Sequence, residues 1–191
     1  MMTLSKYAGI RTGLVLSRKE ALPDECHYPY RALSLKTVTE DGRILPTEVQ
    51  NYYASGELKG EYLTHDGDVL LRLSAPYTAV IITEKETGLL VPAHFAIIRP
   101  GKMLDPRYLH WWLAKNRNLF YKSASGATMM GTISSGYIAE MTFEPPAFEQ
   151  QRKIGELLGL TSREQELLSL LGAKKKQLVD AAIKAMEEPT L

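Results

Sequence analysis

The residues best suited to catalysis are two carboxylates that lie far apart along the chain and a lysine close to the second of them. Asp24 follows a proline, and Glu57 precedes Lys59 by two positions, which is the spacing of the PD…ExK set. In that set two carboxylates hold Mg²⁺ and the lysine positions water or stabilises the phosphorane. There the ExK residues lie inside a strand, whereas here Gly56 and Gly60 bracket them and predict a turn. A magnesium nuclease is therefore kept only as an alternative.

Other catalytic and metal-binding patterns are weak or absent. No nucleophile elbow, phosphate-binding lysine loop or dinucleotide fingerprint occurs. Residues 144–147, Glu-Pro-Pro-Ala, are similar to the Asp/Asn-Pro-Pro-aromatic motif of adenine methyltransferases, but alanine removes the face that stacks on a base. We expect no catalysis and no bound metal or other cofactor. The four histidines also lack the spacing that places two ligands on one helix face: His27, His65, His94 and His110.

The length of 191 residues indicates one sizeable domain with an appendage. Hydrophobic residues make up 45% and charged residues 24%, which argues against a disordered chain and predicts a packed core. The one cysteine, Cys26, excludes an intrachain disulfide. Because the sequence also lacks an apolar run of signal-peptide or membrane-spanning length, we expect a soluble cytoplasmic protein.

The charge is nearly balanced, with a formal net charge of +1. This balance argues against a purely electrostatic nucleic-acid binder, whose affinity comes mainly from neutralising phosphates. The segment 99–122 departs from it, since Asp105 is its only acidic residue. If nucleic acid is the partner, contact should begin with the basic residues of this segment, which are Arg99, Lys102, Arg107, Lys115, Arg117 and Lys122.

Residues 10–100 favour short strands separated by turns. Two Asp-Gly pairs, at 41–42 and 66–67, supply the positive φ of tight hairpins beside apolar runs. Asp105 and Pro106 then suit the N-cap and first position of a helix, which we expect to run to about Tyr121. The small, glycine-rich segment 123–136 predicts a functional loop.

The C-terminal part of the sequence is helical in pattern. Two prolines at 145–146 end a short strand and divide a predicted domain, 1–144, from a helical region, 145–191. A first helix should stop at Gly159, and the capping box of residues 161–164 should begin a second one that runs to about Met186. The apolar stripe of this second helix predicts a coiled-coil partner and comprises Leu167, Leu168, Leu171, Leu178, Ala181, Ala182 and Ala185.

An ordered series of segments resembles the specificity subunit of type I restriction-modification enzymes. The segments are YRALSLKTVTEDGRI at 30–44, GDVLLR at 67–72, DPRYL at 105–109, SGAT at 125–128 with IS at 133–134, and PPAFEQQRKI at 145–154. The resemblance implies an α+β fold, in which a β-rich target-recognition domain with a few helices precedes a long helical spacer. It also implies a non-catalytic subunit that recognises double-stranded DNA.

The same resemblance implies the partners. A DNA methyltransferase subunit would dock alongside and bring S-adenosylmethionine, and a restriction subunit with its magnesium would join where one exists. Members of the family commonly carry two recognition domains and two spacer helices, whereas this chain has one of each and resembles half a subunit. A symmetric homodimer would bury the apolar stripe. Residues 162–186 would span about 38 Å at about 1.5 Å per residue, close to one DNA turn, so we expect a palindromic, interrupted target.

Candidate DNA contacts lie after strands and in the glycine-rich segment, because side chains that reach a groove must leave the packed sheet. Arg72 follows an apolar strand and suits guanine or phosphate. Three alternatives stay open: a standalone dimeric DNA-binding regulator, the nuclease built on Asp24, Glu57 and Lys59, and a protein–protein adaptor that uses only the terminal helices. The candidate phosphate contacts are Lys36, Lys115, Arg117 and Lys122, and the hydroxyls that could donate to phosphates or bases are Ser125, Thr128 and Thr132.

Overall fold

A four-stranded antiparallel sheet lies at the centre of the protein. The computed structural model describes residues 2–21, 28–127 and 131–187, and within them the strand order is β1-β6-β4-β5. A separate two-stranded ribbon pairs β2 with β3, also antiparallel. The strands are β1 (Ala8–Thr12), β2 (Tyr28–Ala32), β3 (Gln50–Ala54), β4 (Val69–Arg72), β5 (Ala79–Ile81) and β6 (Phe95–Pro100).

The central strands β4 and β6 are apolar on both faces because both faces of the sheet are covered. Leu70 and Ile97 point into a cluster with residues from the connecting segments, such as Leu33 and Val91. Their neighbours Val69, Leu71, Ala96 and Ile98 point the other way, into a cluster with Leu109, Leu113, Phe120 and Ile138 from the helices. The period of two in strand side chains thus divides the core into two layers around one sheet.

Helices follow the sheet strands in the chain. They are α1 (Pro106–Lys115), α2 (Arg117–Ala127), α3 (Ser135–Glu140) and α4 (Phe148–Glu187), and short 3₁₀ segments occupy Leu4–Lys6, Leu16–Arg18, Pro46–Glu48, Gly60–Tyr62 and Glu84–Glu86. The predicted cap of α1 is confirmed, since the Asp105 side chain accepts hydrogen bonds from the backbone N–H groups of Arg107 and Tyr108. The fold is α+β, as predicted.

The single helix predicted from 106 to about 121 is interrupted. Asn116 leaves helical geometry, with φ −95° and ψ 13°, and its side-chain amide donates to the Trp112 carbonyl at 2.8 Å. Asparagine competes in this way for backbone groups at the end of a helix. Two helices, α1 and α2, therefore replace the predicted one.

The glycine-rich segment is more regular than predicted. Residues 123–127 form the last part of α2, and α3 begins at Ser135 with the Ser134 hydroxyl accepting from the Tyr137 N–H at 3.1 Å. Ser134 thus serves as a helix N-cap. Residues 128–130 lie outside the described part of the chain.

The Asp-Gly turns have the predicted backbone but do not join full hairpins. Gly42 and Gly67 have φ of 79° and 81°, a region that suits glycine. The first turn closes only the single bridge between Val38 and Ile44. The second precedes β4, where the Gly67 N–H donates to the Ile82 carbonyl at 3.0 Å.

Helix α4 is one continuous helix of 40 residues, so the stop at Gly159 and the capping box at 161–164 are wrong. The Thr161 hydroxyl donates to the Leu157 carbonyl at 3.1 Å, one turn earlier, and is thus used inside a helix. The first turns of α4 pack against α1, with Gln151 and Gly155 buried. Every residue from 159 to 187 is exposed. The division of the chain at residue 145 stays a prediction.

Candidate nucleic-acid interface

Several connecting segments leave the sheet at one end, which we call the loop end. Arg72 closes β4 opposite Phe95, the first residue of β6, and Leu71 lies opposite Ala79, the first residue of β5. Thr12 closes β1 opposite Ala96 at the same end. The register therefore brings the segments 73–78 and 92–94 and the chain after Thr12 together.

Two predicted contacts are neighbours at the loop end. Thr132 forms a β-bridge with Ser74, and the Ile133 N–H donates to the Leu73 carbonyl at 2.9 Å. The Arg72 Nε–H donates to the Ser74 hydroxyl at 3.4 Å, a weak hydrogen bond. Arg72 is half-buried and Thr132 is exposed. A guanidinium and a hydroxyl thus flank the same turn.

Helix α1 brings its C-terminal half to the same end. His110 Nε2 donates to the Ala79 carbonyl at 3.1 Å, and burial, together with the charge of Arg117, lowers the pKa of His110. Lys115 is exposed, and its Nζ lies 4.8 Å from the centroid of the Trp111 ring, a cation–π contact. Arg117 is half-buried, and its Nε has no hydrogen-bond partner among the described residues. Of these two predicted phosphate contacts, Lys115 is the more accessible.

Helix α2 packs on the β4–β5 connection through aromatic contacts. The Tyr77 ring lies 6.0 Å from the Phe120 ring and 4.8 Å from the Tyr121 ring, the latter edge to face. Lys122, the next residue, is exposed. The backbone of Ser125 lies in α2, while its side chain, like the whole of Thr128, lies outside the described residues.

Lys36 reaches the loop end from the other side of the sheet. It is exposed and lines a cavity of about 560 Å³ together with Leu14, Gln50 and His94. His94 directly precedes β6, and Gln50 begins β3 of the ribbon. This cavity therefore connects the loop end with the ribbon.

The ribbon itself was not predicted from the sequence. Arg31 in β2 and Asn51 in β3 are directly paired and both exposed. The feature of the sequence that could have indicated the ribbon is a pair of short tyrosine-containing segments without an acidic residue. They are Tyr-Pro-Tyr-Arg-Ala at 28–32 and Gln-Asn-Tyr-Tyr-Ala at 50–54. Neither segment has a strict alternation of apolar and polar residues, so neither stood out as a strand.

The nuclease residues do not form a site within the described part of the chain. Glu57 and Lys59 are exposed in irregular backbone between β3 and the 3₁₀ segment Gly60–Tyr62, and Asp24 lies outside the described residues. Across 2–21, 28–127 and 131–187, no cluster of three or more His, Cys, Asp or Glu residues has the geometry to hold a metal ion. No helix in those ranges has the length and apolar character needed to cross a bilayer.

The predicted dimerisation residues all lie on the exposed part of α4, residues 160–187, which we call the distal helix. Leu178 has 72% of its surface exposed, an unusual fraction for leucine. The prediction overlooked five further large apolar side chains that are exposed on the same helix, Leu160, Leu170, Val179, Ile183 and Met186. Together with these five, the predicted residues give the set Leu160, Leu167, Leu168, Leu170, Leu171, Leu178, Val179, Ala181, Ala182, Ile183, Ala185 and Met186.

Three solved structures that share this fold come from type I restriction-modification systems. A chain from a structure that addresses complex assembly and conformational transition of the type I R-M system matches with a TM-score of 0.63 and 17% identity, over 96% of this chain and 43% of that one. The HsdS subunit from Thermoanaerobacter tengcongensis matches at 0.61 and 16%, over 94% and 42%. The type I restriction-modification S subunit from M. genitalium matches at 0.55 and 12%, over 100% and 46%.

These likenesses establish the fold, and the chain spans less than half the length of each of the three. No protein-family model and no curated protein matches the sequence. The sheet-containing domain with a long C-terminal helix that the sequence predicted is the fold of type I specificity subunits.

Proposed function

We propose that this protein recognises a specific sequence in double-stranded DNA as the specificity subunit of a type I restriction-modification system. The observation that carries the proposal is the fold, which matches S subunits along 94–100% of the chain. The exposed polar and basic side chains of the loop end support it, because base contacts and phosphate contacts need such groups on segments that leave the sheet. The fold does not favour a standalone regulator or a magnesium nuclease.

In this proposal the chain supplies target choice and its partners supply catalysis. A DNA methyltransferase subunit binds S-adenosylmethionine, a restriction subunit uses magnesium where one exists, and this chain holds no cofactor. Base contacts, at about 1–3 kcal/mol of discrimination each, set specificity, while phosphate contacts orient the complex. The proposed contacts are Lys36, Arg72, Lys115, Arg117, Lys122, Ser125, Thr128 and Thr132.

We also propose a homodimer that pairs two distal helices. The apolar side chains along 167–186 are exposed in the single chain, and a two-fold pairing would remove them from water. The distal helix is about 40 Å long at about 1.5 Å per residue. It would separate two recognition domains by roughly one turn of DNA, which corresponds to a palindromic, interrupted target.

Methylome sequencing tests the recognition function. Cells that carry this protein together with its methyltransferase subunit are compared with cells that lack only this protein. The proposal expects a single interrupted motif to be methylated in the first strain and unmethylated in the second. An unchanged methylome would contradict it.

Light scattering during size-exclusion chromatography tests the dimer. The wild type should have twice the 21.4 kDa mass of one chain at micromolar concentration. The double variant Leu171→Glu, Leu178→Glu should have the mass of one chain, because two charges would then be buried without partners. Lys176→Glu, a charge change at an exposed polar position of the same helix, is the matched control and should stay dimeric. A wild type of single-chain mass would exclude the dimer.

A further inference from the structure

The ribbon presents one packed face and one open face. In an antiparallel pair, directly opposed residues point to the same side, so Arg31 stands beside Asn51 and Pro29 beside Tyr53. These side chains are exposed, with 49% of the Tyr53 surface open to solvent. They border a shallow concavity of about 200 Å³. On the opposite face, Tyr30, Ala32, Tyr52 and Ala54 pack into a small apolar cluster, while Tyr28 and Gln50 at its ends are exposed.

The packed face holds the ribbon in place. The Tyr52 hydroxyl donates to the Leu16 carbonyl at 2.7 Å, and the Tyr30 hydroxyl accepts from the Leu58 N–H at 2.8 Å. Ala32 and Leu90 form a β-bridge that ties the ribbon to the chain leading into β6. The open face is therefore presented by a fixed support, which recognition of a rigid partner requires.

The open face has the chemistry of base recognition. Arg31 can donate two hydrogen bonds to guanine O6 and N7, and Asn51 can pair with adenine N6 and N7. Within the described part of the chain, neither side chain is engaged in an ion pair or a hydrogen bond, and neither strand contains an acidic residue. The Arg31 and Asn51 side chains are thus available to bind a ligand, and no carboxylate on the two strands competes with it.

The dimensions of the ribbon fit the major groove. Two strands lie about 4.8 Å apart, and the groove, about 12 Å wide, admits a two-stranded ribbon. Basic residues flank the open face, since Arg18 and Lys19 are exposed and the Ser55 N–H donates to the Lys19 carbonyl at 2.9 Å. The exposed Glu20 is the acidic residue of that flank, which leaves a positive balance toward phosphates.

We propose that the open face of the ribbon enters the major groove of DNA, where Arg31 reads a guanine and Asn51 reads an adenine. The inference rests on the proposed DNA-recognition function and assigns specificity to residues outside the predicted set. The ribbon is continuous with the loop end, because Gln50 of β3 and Lys36 line one cavity. Loop-end side chains then contact the flanking backbone while the ribbon contacts bases.

The experiment compares variants in the complete complex with the methyltransferase subunit. The wild-type motif is first determined by methylome sequencing. Competition binding then measures affinity for that duplex and for duplexes with one substituted base pair at each position. Arg31→Ala should lower discrimination by roughly 10- to 100-fold at one G·C position, and Asn51→Ala should do so at one A·T position, with the other positions unchanged.

Two further variants separate base reading from charge. Arg31→Lys keeps the charge and loses the planar fork, so it should not restore full discrimination. Lys85→Ala removes an exposed positive charge from the 3₁₀ segment Glu84–Glu86, outside every proposed contact, and should behave as wild type. Thermal melting verifies that each variant folds, and the Asn51→Ala result decides alone if an Arg31 variant does not.

The outcomes distinguish a failure of the proposed DNA-recognition function from a failure of the ribbon assignment alone. A wild-type complex with no motif overturns the proposed function and the ribbon assignment with it. A wild type with a motif, combined with unchanged discrimination in both alanine variants, overturns only the ribbon assignment. An affinity loss equal at all positions and rescued by Arg31→Lys also overturns it, because Arg31 would then contact phosphate.

Discussion

The sheet-containing domain and the distal helix place their apolar residues in opposite environments. In the domain, Leu70, Ile98 and Phe143 have at most 1% of their surface exposed. On the distal helix, Leu178 and Met186 have 72% and 85% exposed. The domain thus contains its own core, whereas the apolar side chains of the distal helix are open to solvent in the single chain.

The ion pairs of the two regions also differ in their exposure to solvent. Asp68 is buried, and both its oxygens lie 2.8 Å from Arg99 nitrogens, Nε and Nη2. This hydrogen bonding by Asp68 raises the pKa of Arg99 above its usual value. On the distal helix, Arg163 and Glu166 are 2.7 Å apart but well exposed. The first pair has a buried carboxylate, whereas both members of the second pair are exposed, so only the first is expected to matter for stability.

Hydrogen bonds join the two regions at the start of α4. The buried Gln151 side chain accepts from the Asp105 N–H at 3.0 Å and donates to the Pro146 carbonyl at 2.9 Å. These bonds fix the start of α4 on the cap of α1. The direction in which the distal helix leaves is therefore set by the domain, which is the property a spacer needs if it is to hold two domains at a defined separation.

Removing one partner from each ion pair is the strongest test of this contrast. Arg99→Met leaves the buried Asp68 carboxylate with one hydrogen bond among the described residues, which it accepts from the His65 N–H at 2.8 Å. We expect a loss of about 3 kcal/mol in the free energy of unfolding, since a buried charge without its partner is costly. Urea denaturation followed by tryptophan fluorescence measures it, because both tryptophans lie in α1.

Arg163→Met is the matched control on the distal helix. Exposed pairs contribute little, so we expect a change within about 0.5 kcal/mol. Equal losses in the two variants would mean that the two regions do not differ in solvent shielding.

A pair of glycines in α4 gives a second test, with changes of opposite sign. A Cβ at Gly155 would lie 2.7 Å from Asp105 Oδ1 and 3.1 Å from the Arg107 Cβ. Gly155→Ala therefore displaces the α1 cap and should lower the unfolding free energy by about 1 kcal/mol, after the gain in helix propensity.

Gly172 is the counterpart on the distal helix, where a Cβ meets nothing within 4 Å. Gly172→Ala should stabilise the helix by about 1 kcal/mol and leave unfolding of the domain unchanged. Amide hydrogen exchange around residue 172 should slow accordingly. If Gly155→Ala stabilises the protein as well, the close contact at the junction is not restrictive.

The sequence was sufficient where local chemistry decides structure. The Asp105 cap, the positive φ of Gly42 and Gly67, and the helical character of the C-terminal region follow from residue types alone. The break at Asn116 and the continuity of α4 through Gly159 could not be read locally. The first depends on competition for the Trp112 carbonyl, and the second on tertiary packing of the first turns of α4 against α1, which overrides the propensity of glycine.

The candidate interface also depends on tertiary structure that the local sequence does not reveal. Arg72 was predicted because it follows an apolar run, and Lys36 because it is basic, but only the strand register brings their segments to one end of the sheet. Arg31 and Asn51 lie 20 positions apart along the chain, and their pairing depends on the register of β2 and β3. Such pairing is set by turn geometry and by packing of the opposite face, which a single sequence does not reveal.

The smallest expected effect concerns His110, whose contact with the Ala79 carbonyl joins α1 to the sheet. Burial lowers the pKa of His110, so the folded state resists protonation more than the unfolded state, whose histidine titrates near its ordinary value of about 6.5. Stability from this group is complete above pH 6.5 and is lost as the pH falls toward the lowered pKa. The distal helix contains no histidine, so this pH dependence of stability belongs to the domain.

Urea midpoints at pH 7.5 and 5.5 for wild type and His110→Gln measure this pH dependence. The wild type should lose more stability on acidification than the variant, and equal losses would show that His110 is not shielded from water.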